Sequence, residues 1–140
     1  MKRTASAHWN GNLKEGKGSV STQSTTLDKT QYSFNARFAE GVGTNPEELL
    51  GAAHAGCFTM ALSATLEQAG FVANDLDTKA TVELNAATFT ITAITLDLTA
   101  AAIQGLNADQ FQAYAKAAKE NCPLSKALAA VAITLNVKYS

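Results

Sequence analysis

The sequence predicts an α+β protein with mostly antiparallel sheets. Two observations carry this prediction. Segments in which apolar and polar residues alternate lie near both ends of the chain and in its middle, and a long apolar segment without charges lies between them. The predicted elements follow the order βββ-α-ββ-αα-β, in which strands are grouped rather than alternating singly with helices. At 140 residues, the chain has the length of one domain, residues 1–140.

The first forty residues predict three short strands separated by turns. The dipeptide Asn10-Gly11 indicates a hairpin. A second strand is predicted over Val20–Gln23, and alternation of aromatic and polar residues predicts a third, half-buried strand over Tyr32–Phe38. In that strand, Arg37 would project from the face opposite the aromatic side chains.

A long helix is predicted to begin at Pro46. Asn45 is a suitable N-cap, proline is favoured at the first helical position, and Glu48 completes a capping-box arrangement. We expect the helix to stop at Gly70. Its uncharged segment, residues 49–66, would span roughly 27 Å, slightly less than a ~30 Å hydrocarbon layer. Because this segment is apolar nearly all round but diluted by Gly, His, Ser and Thr, we expect it to be buried inside protein.

The C-terminal half predicts a second hairpin, two further helices and a closing strand. The inward-facing side of the second hairpin strand changes along its length, which predicts a bulge near Ala93-Ile94. The predicted elements are strands over residues 78–85 and 88–99, a helix capped by Asn107 that ends near Asn121, a short helix from Pro123 to about Ala130, and a strand over residues 133–139.

Composition limits the class of protein. Eleven basic and twelve acidic residues leave a net charge of −1, so no field attracts nucleic acid or anionic lipid. No apolar stretch follows the basic start of the chain, so we expect no signal peptide and a cytoplasmic location. Apolar residues make up 46% of the chain, but 27 of the 65 are alanine. A core of such thin side chains favours help from a second subunit, and we expect a homodimer.

The two cysteines are the first candidates for chemistry, because a pair in a non-secreted chain suggests redox use rather than a structural disulfide. Local physics favours Cys122 as the thiolate, since it lies at a helix N-terminus. Cys57 lies within the long helix, where burial would raise its pKa. It would need a cation from elsewhere, and Arg37 is a candidate. The alternative is that both cysteines are ordinary small core residues.

His54 is the next candidate, because it lies three residues before Cys57 on the same helix face. A Cys–His pair could act as nucleophile and base, whereas a central helix also commonly holds a hydrogen-bonded core histidine. His8, His54, Cys57 and Cys122 are the right residue types for zinc, but their spacing matches no known zinc module.

Several short motifs lie along essentially the whole chain. They are His8-Trp9-Asn10-Gly11, Gly16-Lys17-Gly18, Val20-Ser21-Thr22, Asn35-Ala36-Arg37-Phe38, the run from Gly43 to Phe58, and Asn121-Cys122-Pro123-Leu124-Ser125. Together they resemble the OsmC/Ohr family of thiol-dependent peroxidases. The histidine before Cys57 resembles the OsmC branch more than the Ohr branch.

The resemblance implies a two-layer α+β fold with long helices between curved sheets, in an intertwined homodimer. It reverses the order that local physics favours: Cys57 matches the peroxidatic cysteine and Cys122 the resolving cysteine. Arg37 matches the arginine that stabilises the thiolate, and Glu47 matches the glutamate that positions this arginine. The adjacent Glu48 is an alternative for that role.

The resemblance also implies the reaction. The expected substrates are organic hydroperoxides and, more slowly, hydrogen peroxide. A small dithiol, such as a lipoyl-linked one, is expected to restore the thiols without a resident cofactor or metal. A binding module with inert cysteines and a redox-sensing disulfide switch remain as alternatives. Glu47 precedes Cys57 by ten residues, about 15 Å along a helix. Either the helix starts later than predicted or the partner subunit supplies Glu47, and we favour the second.

Overall fold

The computed structural model describes all 140 residues, which divide into two compact units, residues 1–49 and 50–140. Each unit contains one three-stranded sheet, and five of the six strands are paired antiparallel with a neighbour. The predicted α+β fold with mostly antiparallel sheets is confirmed. In chain order, the elements are β1 (Ala5–Asn10), β2 (Lys17–Thr22), β3 (Thr30–Tyr32), α1 (Phe34–Phe38), α2 (Pro46–Gln68), β4 (Leu76–Asn85), β5 (Thr90–Ala100), α3 (Ala108–Asn121), α4 (Pro123–Ala127) and β6 (Ala132–Tyr139).

The N-terminal unit is built on the sheet β1-β2-β3, and the predicted hairpin at Asn10-Gly11 joins its first two strands. Gly18 lies in β2, the middle strand, opposite Trp9 on one side and Tyr32 on the other. The two rings approach to 5.5 Å between centroids, and a Cβ on Gly18 would lie 2.5 Å from a ring atom of each. Glycine is therefore required where two cross-strand aromatic rings cover the backbone.

The predicted strand over residues 32–38 is wrong beyond Tyr32. The side chain of Ser33 accepts a hydrogen bond from the Ala36 N–H at 3.1 Å and so begins the short helix α1. Phe34 and Phe38, which share one face in a strand, also share one face in a helix, and their rings lie 4.9 Å apart. Arg37 is accordingly on a helix.

Helix α2 begins and ends as predicted, but the predicted capping box is only half formed, because the Glu48 carboxylate accepts from the Thr44 hydroxyl and not from the Asn45 N–H. The Asn45 carboxamide oxygen accepts from the Glu48 N–H at 2.9 Å, and Pro46 is the first helical residue. The helix stops at Gln68, just before Gly70, whose φ of +86° is a conformation that glycine adopts readily.

The C-terminal unit packs helices against one face of the sheet β4-β5-β6. β4 and β5 are antiparallel, whereas β5 and β6 are parallel. Thr92 is the extra residue of a bulge, one position from the predicted one, where Glu83 pairs with Ala93 and Leu84 with Ile91. Beyond the bulge, alternate β5 side chains enter the core. The core combines Ile94, Leu96 and Leu98 of β5 with Phe58, Leu62 and Leu66 of α2 and Phe111, Ala115 and Ala118 of α3.

Within one chain, α2 is covered on one side only. By length and composition alone, α2 could cross a membrane. In this structure, 28% of its most apolar stretch is buried inside the protein. The expectation of a helix buried all round is therefore met on the sheet-facing side alone. Between Ala52 and Ala64 the exposed residues are all small or apolar, and they are Ala52, Ala53, Gly56, Met60, Ser63 and Ala64.

The two helices before β6 are set by their caps. Asn107 and Gln110 form the predicted capping box of α3, which ends at Asn121 as predicted. Cys122 is at once the C-cap of α3 and the N-cap of α4, with an extended ψ of 127°. The following Pro123 disfavours the helical conformation at Cys122, which separates the two helices. α4 ends at Ala127, three residues earlier than predicted.

Candidate active site

The fold brings the two cysteines into contact. Cys57 lies in the middle of α2 and Cys122 lies 65 residues later, between α3 and α4. Both are free thiols, and the Cys122 S–H donates to the Cys57 Sγ at 2.9 Å. Cys122 is fully buried, whereas Cys57 is partly exposed. Solvent therefore reaches Cys57 in part and does not reach Cys122.

The surroundings of Cys57 oppose ionisation of its thiol. Burial raises the pKa of Cys57, and the neighbouring Cys122 raises it further, whereas the backbone N–H of Leu124 lowers it. None of these groups is a cation. The sequence prediction assigned the donors at the start of α4 to Cys122, but the Leu124 N–H serves Cys57 instead.

A second polar pair lies beside the sulfurs. His54 Nε2 and Ser125 Oγ are 2.8 Å apart, and both side chains are buried. His54 Nδ1 is also buried and has no hydrogen-bond partner. Burial lowers the pKa of His54, so its ring is neutral. The sequence singled out His54, but Ser125 carried no signal beyond its place in the motif after Cys122.

Arg37 and Glu47 form an ion pair in the N-terminal unit. The guanidinium donates through Nε and Nη2, with distances of 2.8–3.2 Å to the two carboxylate oxygens. Such two-point geometry fixes the plane of the guanidinium as well as its position. The alternative partner, Glu48, instead accepts from the Thr44 hydroxyl at 2.5 Å. The structure therefore pairs Arg37 with Glu47, as the resemblance implied.

Arg37 also borders an apolar concavity that the sequence analysis did not identify. The cavity has a volume of about 250 Å³. The guanidinium lies 5.3 Å from the centre of the Phe38 ring, a cation–π arrangement. The only available sequence signal was the spacing of aromatic residues in the first forty positions. The lining residues are Trp9, Leu13, Tyr32, Ser33, Phe34, Arg37, Phe38 and Pro46.

The alternative zinc site receives no support from the geometry. His54, Cys57 and Cys122, the candidate ligands in the C-terminal unit, do not form a cluster that could hold a metal ion. His54 contacts Ser125 and Cys57 contacts Cys122, as two separate pairs.

The fold and the sulfur contact define an α+β protein with a paired dithiol, and comparisons with known proteins identify its family. The family described as OsmC-like protein matches residues 39–138. Peroxiredoxin OsmC of Escherichia coli (strain K12) is 49% identical over 126 residues, which cover 89% of this chain and 87% of that protein. The protein of the same name from Shigella flexneri matches to the same extent.

Two solved structures show the same fold. The organic hydroperoxide resistance protein OhrB of Bacillus subtilis is 26% identical with a TM-score of 0.69, covering 96% of this chain and 98% of that one. The organic hydroperoxide resistance protein OsmC of Legionella pneumophila is 29% identical, also with a TM-score of 0.69, covering 96% of each chain. The chain belongs to the OsmC family. The predicted family is confirmed, and the predicted enzyme class, a peroxidase, agrees with the name of the curated relatives.

Proposed function

We propose that the protein is a thiol-dependent peroxidase that reduces organic hydroperoxides and, more slowly, hydrogen peroxide. Cys57 is the peroxidatic cysteine and Cys122 the resolving cysteine. The observation that carries this proposal is the 2.9 Å approach of two free sulfurs that are 65 residues apart in sequence. Partial exposure of Cys57 and full burial of Cys122 support this assignment of roles.

The reaction has three balanced steps. The Cys57 thiolate attacks the terminal oxygen of the hydroperoxide, the O–O bond breaks, and the alkoxide leaves and takes up a proton as alcohol, which leaves Cys57 as a sulfenic acid. Cys122 then attacks the Cys57 sulfur, and the hydroxyl leaves as water with the proton of Cys122. An external dithiol reduces the resulting disulfide by two thiol–disulfide exchanges and is itself oxidised to a disulfide.

Arg37 stabilises the thiolate of Cys57 in this account, with Glu47 holding the guanidinium in place. Cys57 needs such a cation because burial raises its pKa. α2 is helical from Pro46 onwards, so the alternative that the helix starts later than predicted is wrong. A distance of about 15 Å along the helix then separates Glu47 from Cys57. This separation favours a composite site, in which Arg37 and Glu47 of the partner subunit serve Cys57.

The exposed side of α2 supports the homodimer that a composite site requires. An apolar helix face of this length is not stable in water and needs a protein cover. A second copy of the same chain supplies a matching apolar helix, and symmetric pairing of identical surfaces is the commonest arrangement of soluble oligomers. Met60, with 76% of its surface exposed, lies near the centre of this face.

The proposed co-substrates follow from the same features. The apolar cavity of about 250 Å³ beside Arg37 fits the alkyl or aryl group of an organic hydroperoxide. A small dithiol, of which a lipoyl group is one example, can reach the exposed sulfur of Cys57 and needs no resident cofactor. We place the reaction in the cytoplasm, where thiols are kept reduced.

Steady-state turnover tests the proposed function. Wild-type protein should consume cumene hydroperoxide continuously with dihydrolipoamide as reductant, and hydrogen peroxide more slowly. Cys57→Ser should abolish consumption, whereas Cys122→Ser should permit one oxidation and then stall or overoxidise. Consumption of a single equivalent by the wild type would indicate a redox switch, and none at all would indicate a binding module.

A further inference from the structure

We propose that His54 and Ser125 form a latch that holds the resolving Cys122 against Cys57 during disulfide formation. The latch is the buried hydrogen bond between His54 Nε2 and Ser125 Oγ. The proposal deepens the peroxidase function proposed above and rests on it. It assigns a positioning role to two residues that do not touch the substrate.

The latch and the sulfur contact join the same two segments of the chain. His54 precedes Cys57 by three residues on α2, and Ser125 follows Cys122 by three residues in α4. Residues three apart in a helix lie on the same face, so the same two segments are joined twice. The sulfur contact is 2.9 Å long and the latch 2.8 Å.

The latch is polar in surroundings that are otherwise apolar, where a polar pair costs stability unless it is well bonded. His54 is fully buried and Ser125 is 7% exposed, so water does not compete for the bond. The Nδ1 atom of His54 lacks a partner. A buried unpaired N–H is rarer than a buried unpaired acceptor, so the favoured tautomer has Nε2–H donating to Ser125 and a bare lone pair on Nδ1.

An incompletely satisfied histidine at this position is not explained by stability alone, because an apolar residue of similar size would avoid the unpaired atom. The position of His54 explains its presence better than stability does. α4 has only five residues, and so short a helix has little stability of its own. A hydrogen bond from α2 to the first turn of α4 fixes the position of that turn and therefore the position of Cys122.

Fixing Cys122 matters for the second step of the reaction. The sulfurs need to close from 2.9 Å to the ~2.05 Å of a disulfide, a small movement if the starting geometry is held. Without the latch, Cys122 would spend less time within reach of Cys57, and its effective concentration would fall. The sulfenic acid would then persist and could be oxidised by a second hydroperoxide to a sulfinic acid.

Four variants separate positioning from general stability. Ser125→Ala and His54→Leu each remove the latch, whereas His54→Gln keeps an N–H donor near the position of Nε2. Thr59→Val is the matched control. It deletes a half-buried hydroxyl on α2, two residues after Cys57. This hydroxyl contacts the Ala55 carbonyl and the Thr78 hydroxyl, each at 2.7 Å, and not the segment holding Cys122.

The first measurement does not depend on peroxidase activity. The dithiol–disulfide equilibrium of each full-length variant is measured in buffers of reduced and oxidised dithiothreitol. Ser125→Ala and His54→Leu should disfavour the Cys57–Cys122 disulfide about tenfold, the factor that the loss of one typical hydrogen bond contributes. His54→Gln should recover part of this factor. Thr59→Val should leave the equilibrium unchanged even if its thermal midpoint falls.

The second measurement follows one turnover with one equivalent of cumene hydroperoxide. In Ser125→Ala, disulfide formation should slow about tenfold relative to the loss of the first thiol, and the yield of sulfinic acid should rise. Wild-type rates of disulfide formation and a wild-type dithiol equilibrium in both latch variants would overturn the proposal. If the wild type consumed no hydroperoxide, the proposed function would fail, and the dithiothreitol equilibrium alone would then decide whether the latch exists.

Discussion

At the level of single residues, the two cysteines meet in surroundings that favour the uncharged thiol of Cys57. Burial and the neighbouring Cys122 raise the pKa of Cys57. The Leu124 N–H lowers it, but its effect is the smaller one. The reactive form is the thiolate. Activity at neutral pH therefore depends on the positive charge that we assign to Arg37.

This dependence predicts that Cys57 is oxidised more slowly in Arg37→Ala than in the wild type, and that the difference depends on pH. Removal of an opposite charge raises a pKa by about 1–3 units, so the thiolate fraction at pH 7 should fall by about 10- to 1000-fold. The loss should diminish as the pH rises, because more of the thiol then ionises without help. Stopped-flow rates of Cys57 oxidation between pH 6 and pH 10 measure this effect.

Arg37→Lys is the matched control for the charge. It keeps a cation but loses the two-point contact with Glu47, so its profile should lie between those of the wild type and Arg37→Ala. Identical pH profiles for all three proteins would remove Arg37 from the mechanism.

At the level of elements, β2 contains a position in the N-terminal unit where two aromatic rings leave no room for a side chain. A Cβ on Gly18 would lie 2.5 Å from ring atoms of both Trp9 and Tyr32. Gly18→Ala should therefore lower the free energy of unfolding by ~1–3 kcal/mol, as overpacking does. Ser19→Ala, the adjacent position on the same strand, should change it little. Chemical denaturation of both variants makes the comparison, and an equal effect at the two positions would contradict this packing account.

The elements also show what local sequence chemistry can predict. Asn45 and Asn107 cap helices where predicted, because a cap depends on side chains within a few residues. The strand predicted over residues 32–38 failed because Phe34 and Phe38 share a face in both a strand and a helix. The Ser33 hydroxyl accepts a hydrogen bond from the Ala36 N–H and so favours the helix, and an alternation pattern holds no information about such a bond.

The sequence motifs indicated four candidate residues and two contacts among them, but not the contact between His54 and Ser125. The motifs indicated Cys57, Cys122, Arg37 and Glu47, and the structure pairs the first two and the last two. The latch between His54 and Ser125 was not predictable, because 71 residues separate them and only the packing of α4 brings them together. Local reasoning assigned the N–H groups at the start of α4 to Cys122 and did not foresee that the Leu124 N–H also lowers the pKa of Cys57, which is distant in sequence.

At the level of the whole molecule, the proposed homodimer makes a composite site testable by mixing two inactive chains. One chain carries Cys57→Ser and the other Arg37→Ala, and co-expression with different affinity tags allows the heterodimer to be purified. If Arg37 acts on Cys57 of the partner subunit, the heterodimer contains one intact site and should recover about half of the wild-type activity, as expected for independent identical sites in a symmetric dimer.

The two parent homodimers and a heterodimer of wild type with Cys57→Ser serve as references in the same hydroperoxide assay. If Arg37 acts within its own chain, neither site of the mixed dimer is complete. Activity no greater than that of the parents would then place the arginine and the cysteine of each site on one chain.

The proposed peroxidase reaction depends most directly on the formation of a bond between Cys57 and Cys122 within one chain. Reduced wild-type protein is treated with one equivalent of cumene hydroperoxide, quenched by alkylation, and analysed by peptide mass spectrometry under non-reducing conditions. We expect both thiols to disappear within seconds and a peptide pair linked through Cys57 and Cys122 to appear, while Cys122→Ser yields Cys57 sulfenic and sulfinic acids. Two alkylated thiols in the wild type, or a sulfenic acid on Cys122 with Cys57 unmodified, would contradict it.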